Sequence, residues 1–403
     1  MGNHSSSGLR GGYVLAATSA SHLFNHLSIT VMSFLIPVIV AKELGLNTVQ
    51  VGLLSASVQL TAGASQMFFG ALGNVMKKST VFSIGNALQA ASGLIATVAR
   101  GFLDILALRV LWGIGSAPQH PVGSSMISES FGEKRRGFAL SIHMGIAYIG
   151  NMIGPIVATY LSSVIGWRLA FVVVGIPQFL LSMVFFLLAR ADQGPSRDGY
   201  NGATRIGSIK GSIIRSLKSR NNLMVNVAQA LIMAARGLNL WITYLPIYLI
   251  SVHAYDAGTS AAIVSIFLAS GSIGTIFFGW AGQRLNKMTL AATSTVITSA
   301  SLIYLSVFGA SGYMLIAIIA ALGFVSLEIV VALQSYLGGI TDNSLRDASF
   351  GIFFTVGFLA ASFWTAFVGY LIQASGFGLA FLFMGLINLP AALIMLILRT
   401  RSP

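Results

Sequence analysis

Long apolar runs separated by short polar segments make up most of the chain, from Gly12 to Leu398. An α-helix needs about 20 apolar residues to cross a bilayer. The pattern therefore predicts an all-α membrane protein with twelve transmembrane helices, called spans 1 to 12 below. Their predicted limits are 12–41, 47–73, 79–99, 103–128, 137–164, 167–189, 222–252, 258–282, 289–309, 312–339, 348–374 and 377–398.

One long polar stretch, residues 191–221, divides the spans into two groups of six. We expect an N-terminal six-helix bundle at 1–190, a cytoplasmic linker at 191–221 and a C-terminal six-helix bundle at 222–403. The end of the stretch, at 212–220, has apolar and basic residues at helical spacing. It fits a short interfacial helix and a solvated linker equally well.

The two halves repeat at a constant offset of 209–210 residues, which predicts two pseudo-symmetric bundles. Parallel repeats related by an axis along the membrane normal occur in transporters of the major facilitator type. The matching positions are 68–70 with 277–279, Pro37 with Pro246, Lys78 with Lys287, Gly113 with Gly323, Arg136 with Arg346, and 169–171 with 379–381.

Composition and charge support a membrane protein. Only 8% of the 403 residues are charged and mean hydropathy is +0.84, whereas soluble domains carry about 25% charged residues. With a cytoplasmic N-terminus, inside segments hold 18 of the 23 Lys and Arg residues and outside segments hold Lys42, Arg100 and Arg168. Cytoplasmic loops carry such an excess. The net charge of +13 thus reflects topology and indicates no nucleic-acid partner.

Two sets of motifs resemble the major facilitator superfamily along nearly the whole chain. Gly70, Leu72, Lys77 and Lys78 fit the family's loop between spans 2 and 3, but Asn74 replaces its acidic residue. The second copy has the same departure at Gln283. The resemblance implies the major facilitator fold and transport by alternating access. With Asn74 and Gln283, only neutral hydrogen bonds are available where the family uses an acid to latch the halves.

The other motifs lie in spans 4 and 5. Arg109 and Gly113 resemble the family's R-x-x-x-G motif, and Gly150, Gly154 and Pro155 resemble the core of its antiporter motif. Glycines at this spacing also permit close helix approach, whatever the direction of transport.

Two further stretches are similar to the fosmidomycin-resistance-like branch of this family. They are the His22–Asn25 segment of span 1 and the Gly115–Pro121 segment of span 4. The branch tends to have an aspartate where this chain has His26, so the match is partial.

Ionisable side chains inside spans mark candidate functional positions, because they are costly in a bilayer and usually face a cavity or a partner. The resemblance implies that spans 1, 4, 7 and 10 line a central cavity, and every such group except His143 lies on one of them. They are His22, His26, Asp104, Arg109, His120, Arg236 and Glu328.

We assign proton coupling to Glu328, Arg109 and His22. Burial favours the neutral form of a carboxyl group and a nearby arginine favours the charged form, so a carboxyl moved between the two surroundings can carry a proton. The alternative is a structural Glu–Arg pair that holds helices together. For Arg109 the alternative is helix packing.

We assign substrate binding to a second group centred on Arg236, because a guanidinium offers a planar fork for a carboxylate or phosphate. The assigned residues are Asn25, His26, His120, Arg236, Asn239, Trp241 and Tyr244. For the aromatic residues, packing is the alternative. His22 and His26 share a helix face but form a poor metal site by themselves, and we assign His143 a structural role, so no metal and no cofactor are expected.

Two arginines against one glutamate give the cavity a charge of about +1, which attracts anions. The favoured function is proton-coupled transport of a small organic anion, such as a carboxylate or phosphonate-like compound. The alternative is proton-driven efflux of amphipathic drug-like compounds. A membrane enzyme or scaffold is a third class, but no catalytic constellation stands out. We expect a monomer in the cell inner membrane, with both termini cytoplasmic.

Overall fold

A computed structural model describes residues 3–191, 211, 214–341 and 345–400. Within these ranges every regular element is helical and no β-strand occurs. Most of the predicted linker at 191–221 lies outside the described residues, although 214–218 are helical. The predicted fold class, an all-α membrane protein, is confirmed.

The helices follow one another with short connections. In chain order they are α1 (Asn3–Leu35), a π-helical segment (Ile36–Val40), α2 (Ala41–Leu44), α3 (Thr48–Val75), α4 (Lys78–Ile95), α5 (Phe102–Ser116), a 3-10 turn (Ala117–Gln119), α6 (Pro121–Ser130), α7 (Glu133–Ala191), α8 (Arg220–Arg236), α9 (Leu238–Ser251), α10 (Ala257–Ala281), α11 (Lys287–Val307), α12 (Gly312–Ser326), α13 (Ile329–Ile340) and α14 (Arg346–Arg399).

Two of these helices are too long for one crossing. At about 1.5 Å per residue, α7 with 59 residues and α14 with 54 would each run far beyond a bilayer. Each bends at a glycine with positive φ, Gly166 at 76° and Gly376 at 78°, a conformation that side chains with a Cβ disfavour. These glycines fall between predicted spans 5 and 6 and between spans 11 and 12, at the repeat offset of 210 residues.

Seven helical stretches of the described chain are long and apolar enough to cross a membrane. The bends in α7 and α14 divide two of them, and the remaining predicted spans fall on α3, α4 and the α5–α6 pair. The helices therefore accommodate all twelve predicted spans, while the number of crossings stays a prediction.

The chain divides into two compact units. The first contains Met1–Leu46 and Ser57–Tyr200, and the second contains Asn47–Ala56 and Asn201–Pro403. The predicted halves differ from these units by the first turns of α3. Those turns belong with the second unit, where the Ser55 carbonyl accepts a hydrogen bond from Asn239 Nδ2 at 2.9 Å.

Glycines allow helix axes to approach closely within the first unit. A Cβ on Gly150 of α7 would lie 2.9 Å from the Leu27 amide nitrogen of α1, and one on Gly154 would lie 2.6 Å from Thr30 Cβ. Contacts this short do not occur between real side chains. The Gly150–Gly154 motif therefore does what its spacing predicts and seats α7 directly on α1.

Candidate functional site

Three interrupted helices position the polar residues predicted for the site. The helix of span 4 breaks at a 3-10 turn and His120, that of span 7 breaks at Gly237, and that of span 10 breaks at Leu327–Glu328. Pro118 and Pro121 lack the N–H that a continuous helix needs. Such breaks free backbone carbonyl groups, which must find other donors when buried.

In the second unit, Arg236 donates a hydrogen bond to a backbone carbonyl at the break beside Glu328. The amides of Val331 and Ala332 both donate to the Glu328 carbonyl, at 2.8 and 3.2 Å. The Leu327 carbonyl is therefore left without its usual i+4 donor, and Arg236 Nη2 donates to it at 3.2 Å. The guanidinium thus joins the end of α8 to the C-terminal end of α12.

The carboxyl group of Glu328 lies in the same place. Its side chain is 2% exposed, and it directly follows Leu327, whose carbonyl accepts the Arg236 hydrogen bond. One oxygen, Oε1, has no hydrogen-bond partner among the described residues. The structure therefore brings together the anion-binding and proton-carrying residues that the sequence predicts for the second half.

Three other predicted binding residues of this unit are engaged in packing. Trp241 is buried between Phe267 and Phe381, and its Nε1 donates to the Ala235 carbonyl at 2.7 Å. Tyr244 donates its hydroxyl to the Thr365 carbonyl at 2.8 Å. The polar atoms of these two aromatic residues therefore complete backbone hydrogen bonding. Asn239 likewise uses its amide on a backbone carbonyl, as described above.

In the first unit, four histidines from three helices form one group, called the histidine cluster: His22 and His26 of α1, His120 beside α6, and His143 of α7. The ring of His22 lies 4.7 Å from His26, 5.1 Å from His120 and 4.4 Å from His143, measured between centroids. His22 and His143 are fully buried, and His26 and His120 are partly exposed. Sequence spacing pairs only the first two.

An amide from the Gly150–Gly154 motif orients the cluster. Asn151 Oδ1 lies 3.0 Å from His26 Nδ1 and also accepts the hydroxyl hydrogen of Thr30 at 2.9 Å. An amide oxygen only accepts hydrogen bonds, so His26 carries its hydrogen on Nδ1. The signal for this role is the position of Asn151, directly after the glycine that brings α7 against α1.

Two further predicted residues of the first unit are Arg109 on α5 and Asn25 on α1. Arg109 is completely buried in α5, and its Nη2 donates to Ser33 Oγ of α1 at 2.9 Å. Asn25 is 5% exposed, and its Oδ1 has no hydrogen-bond partner among the described residues. Arg109 therefore joins α5 to α1, which agrees with a packing role, and its predicted part in coupling stays a prediction.

Membrane-spanning helices that break beside buried arginine, glutamate and histidine side chains are typical of secondary transporters. Comparison with known proteins agrees with this class. Residues 18–365 match the profile of the Major Facilitator Superfamily, and the chain belongs to this family. Its members are multi-pass membrane transporters and not enzymes.

Curated relatives include carriers of organic acids. The chain is 23% identical to a probable L-galactonate transporter of Escherichia coli, over 62% of this chain and 57% of that protein. It is 26% identical to a probable sulfoacetate transporter of Cupriavidus necator, over 62% and 60%. A D-galactonate transporter of E. coli is 22% identical over 74% and 76%. The chain thus spans less than two thirds of the length of the first two relatives.

Solved structures show the same fold. A bacterial homologue of the human lysosomal transporter Spinster, inward-facing and occupied, superposes with a TM-score of 0.75 at 16% identity, over 97% of both chains. The peptide transporter POT in complex with sulfate gives 0.79 at 16% identity, over 96% of this chain and 94% of that chain. The similarity to the fosmidomycin-resistance-like branch stays a prediction.

Proposed function

We propose that this protein is a proton-coupled transporter of a small organic anion, and that it works by alternating access. The observation that carries this proposal is the contact of Arg236 with the helix break at Leu327, beside the buried carboxyl group of Glu328. A cation and an acid held together inside a membrane are expensive, and such groups usually serve substrate or proton movement.

The substrate class follows from the chemistry of Arg236. Its planar guanidinium pairs with carboxylate, phosphonate or sulfonate oxygens by two parallel hydrogen bonds. The relatives named above are a D-galactonate transporter and probable transporters of L-galactonate and sulfoacetate, which are small anions of this type. We therefore propose a sugar acid or a sulfonated carboxylate as the substrate.

The proton carrier in this scheme is Glu328. In a dry environment the neutral carboxyl is favoured, and close approach of the arginine favours the carboxylate. If substrate binding draws the guanidinium away from Glu328, the carboxyl takes up a proton, and the proton leaves when the arginine returns. This exchange couples one proton to one cycle without a further cofactor.

The cellular setting is proposed from charge. Because 18 basic residues fall on one predicted side and three on the other, we place both termini in the cytoplasm. The relatives are largely bacterial carriers, which supports the inner membrane as the location. We propose that one chain is the transporting unit.

A direct test is to measure anion binding to purified protein and to its Arg236 variants by calorimetry. Losing a charged hydrogen bond costs about 1.5–3 kcal/mol, so Arg236→Ala should weaken binding of the best anion tenfold or more. Arg236→Lys keeps the charge but loses the planar fork of donors, so its affinity for the anion should lie between those of the wild type and Arg236→Ala. Arg284→Ala is the matched control, because Arg284 stacks on Trp280 in a connecting turn. Unchanged affinity in Arg236→Ala would exclude the proposed anion site.

The second candidate is efflux of amphipathic drug-like compounds. Its support is the Gly150–Pro155 resemblance to the antiporter motif and a 26% identity to a multidrug transporter of Aspergillus fumigatus over 42% of this chain. Drug carriers of this kind would bind uncharged and cationic compounds as well as anions. Binding of a neutral aromatic drug to the purified protein, together with no detectable binding of sugar acids, would favour this alternative.

A further inference from the structure

We propose that His22, His26 and His120 bind one divalent transition-metal ion, such as Zn²⁺, in the first unit. Imidazole is a ligand that suits zinc, copper, nickel and iron. The candidate ligand nitrogens of these three residues all lie within 4.8 Å of one another. Two come from α1 and the third from the break in span 4, and all three belong to the first unit, whereas Arg236 and Glu328 belong to the second.

The first two ligands are already at metal-binding separation. His26 Nε2 and His22 Nε2 are 3.1 Å apart. With Zn–N bonds of 2.0–2.1 Å, two nitrogens on one tetrahedral ion lie about 3.3 Å apart. In the metal-free protein one of these nitrogens must donate a hydrogen to the other. An ion between them replaces that hydrogen and needs little movement of either ring.

The third ring has the spacing that a shared ion requires. Three imidazoles on one tetrahedral ion place their ring centroids about 5 Å apart. The observed centroid separations are 4.7 Å for His22–His26, 5.1 Å for His22–His120 and 6.5 Å for His26–His120. Only the last must shorten. Because His120 follows a 3-10 turn and precedes Pro121, its backbone lies outside regular helix.

Asn151 supplies the support that metal-binding histidines usually have. Such a histidine donates its other ring N–H to an oxygen acceptor, which fixes the ring and its tautomer. His26 Nδ1 donates to Asn151 Oδ1 at 3.0 Å, so the lone pair of His26 lies on Nε2, the atom that faces His22. Thr30 holds the same amide oxygen at 2.9 Å.

An ion can reach this place and keep an open coordination position. His26 and His120 are partly exposed, whereas His22 is buried behind them. Three histidines leave a fourth tetrahedral position for water or an anion, as in open zinc sites. Behind His22, both ring nitrogens of His143 are buried without a hydrogen-bond partner among the described residues, and a buried polar group of this kind calls for a further partner.

The test uses full-length protein purified through a tag that contains no histidine. Zn²⁺ binding is measured by calorimetry, and X-ray absorption at the zinc edge counts the ligands. We expect one ion per chain with about three imidazole nitrogens at 2.0–2.1 Å. His26→Gln and His120→Gln should lose this binding. Asn151→Leu should weaken it by about 10–100-fold, the usual effect of losing an orienting partner.

His253 serves as the control, because it lies in the second unit and is not part of the cluster. His253→Gln should bind Zn²⁺ as the wild type does. Each variant is first checked for a single symmetric peak in size-exclusion chromatography. Binding that survives in His26→Gln and His120→Gln, loss of binding in a control variant, or an absorption spectrum of the wild type dominated by oxygen ligands would overturn the proposal.

Discussion

Replacing Gly115 by alanine should destabilise the first unit, because α4 and α5 cross there with no room for a methyl group. A Cβ on Gly115 would lie 2.7 Å from the Gly85 carbonyl oxygen, 2.8 Å from the Gln89 amide nitrogen and 2.9 Å from Leu88 Cβ. The approach is mutual, since a Cβ on Gly85 would lie 2.7 Å from the Gly115 carbonyl oxygen. Two of the three atoms are backbone, so a whole helix must move.

The change in the free energy of unfolding is the sum of two destabilising effects and one stabilising effect. Overpacking a tight contact costs about 1–3 kcal/mol. Separating the helices also strains the hydrogen bond from Gln89 Nε2 to the Gly115 carbonyl at 3.0 Å, which contributes about 0.5–1.5 kcal/mol. Alanine recovers roughly 1 kcal/mol of helix propensity relative to glycine. We therefore expect a net loss of about 0.5–3.5 kcal/mol.

The assay is equilibrium unfolding in mixed micelles with increasing dodecyl sulfate, followed by tryptophan fluorescence. The matched control is Gly145→Ala in α7, where an added Cβ meets nothing within 4 Å. There the propensity effect stands alone, so alanine should stabilise by up to about 1 kcal/mol. A lower free energy of unfolding in Gly115→Ala and a higher one in Gly145→Ala would support the close packing of α4 on α5. A Gly115→Ala protein as stable as Gly145→Ala would refute it.

Three further predictions concern the second unit and the surface. Glu328→Gln should abolish transport driven by a pH gradient while sparing substrate exchange, because a glutamine cannot carry a proton; retained gradient dependence would exclude Glu328 as the carrier. Tyr244→Phe should cost about 0.5–1.5 kcal/mol in the same unfolding assay, since the Thr365 carbonyl loses its hydrogen bond, and unchanged stability would contradict that contact. Glu129→Gln should change stability by less than about 1 kcal/mol, because the Glu129 carboxylate of the ion pair with Lys78 is half exposed; a larger loss would show that this pair is structural.

Helix positions could be predicted from the sequence because each membrane helix appears there as a long apolar run. The bends at Gly166 and Gly376 fall between predicted spans, where the apolar runs meet without a polar loop.

Contacts between helices were harder to predict from the sequence. Spacing along span 1 indicates that His22 and His26 share a face, but it carries no information on which helix covers that face. The approach of His120 and the support by Asn151 depend on the glycines of α7 and on the break in span 4. Trp241 and Tyr244 were predicted to bind substrate, but Trp241 donates to the backbone at the end of α8 and Tyr244 to the backbone within α14. Composition alone does not reveal these contacts.

Substrate-driven proton movement tests the central claim most directly. Protein reconstituted in liposomes with a trapped pH-sensitive dye is given sugar acids or sulfonated carboxylates outside, with no pH gradient imposed. Proton-coupled anion transport predicts a change of internal pH for at least one of these anions, reduced by Arg236→Ala and absent in Glu328→Gln. Entry of the same radiolabelled anion with no change of internal pH would contradict proton coupling.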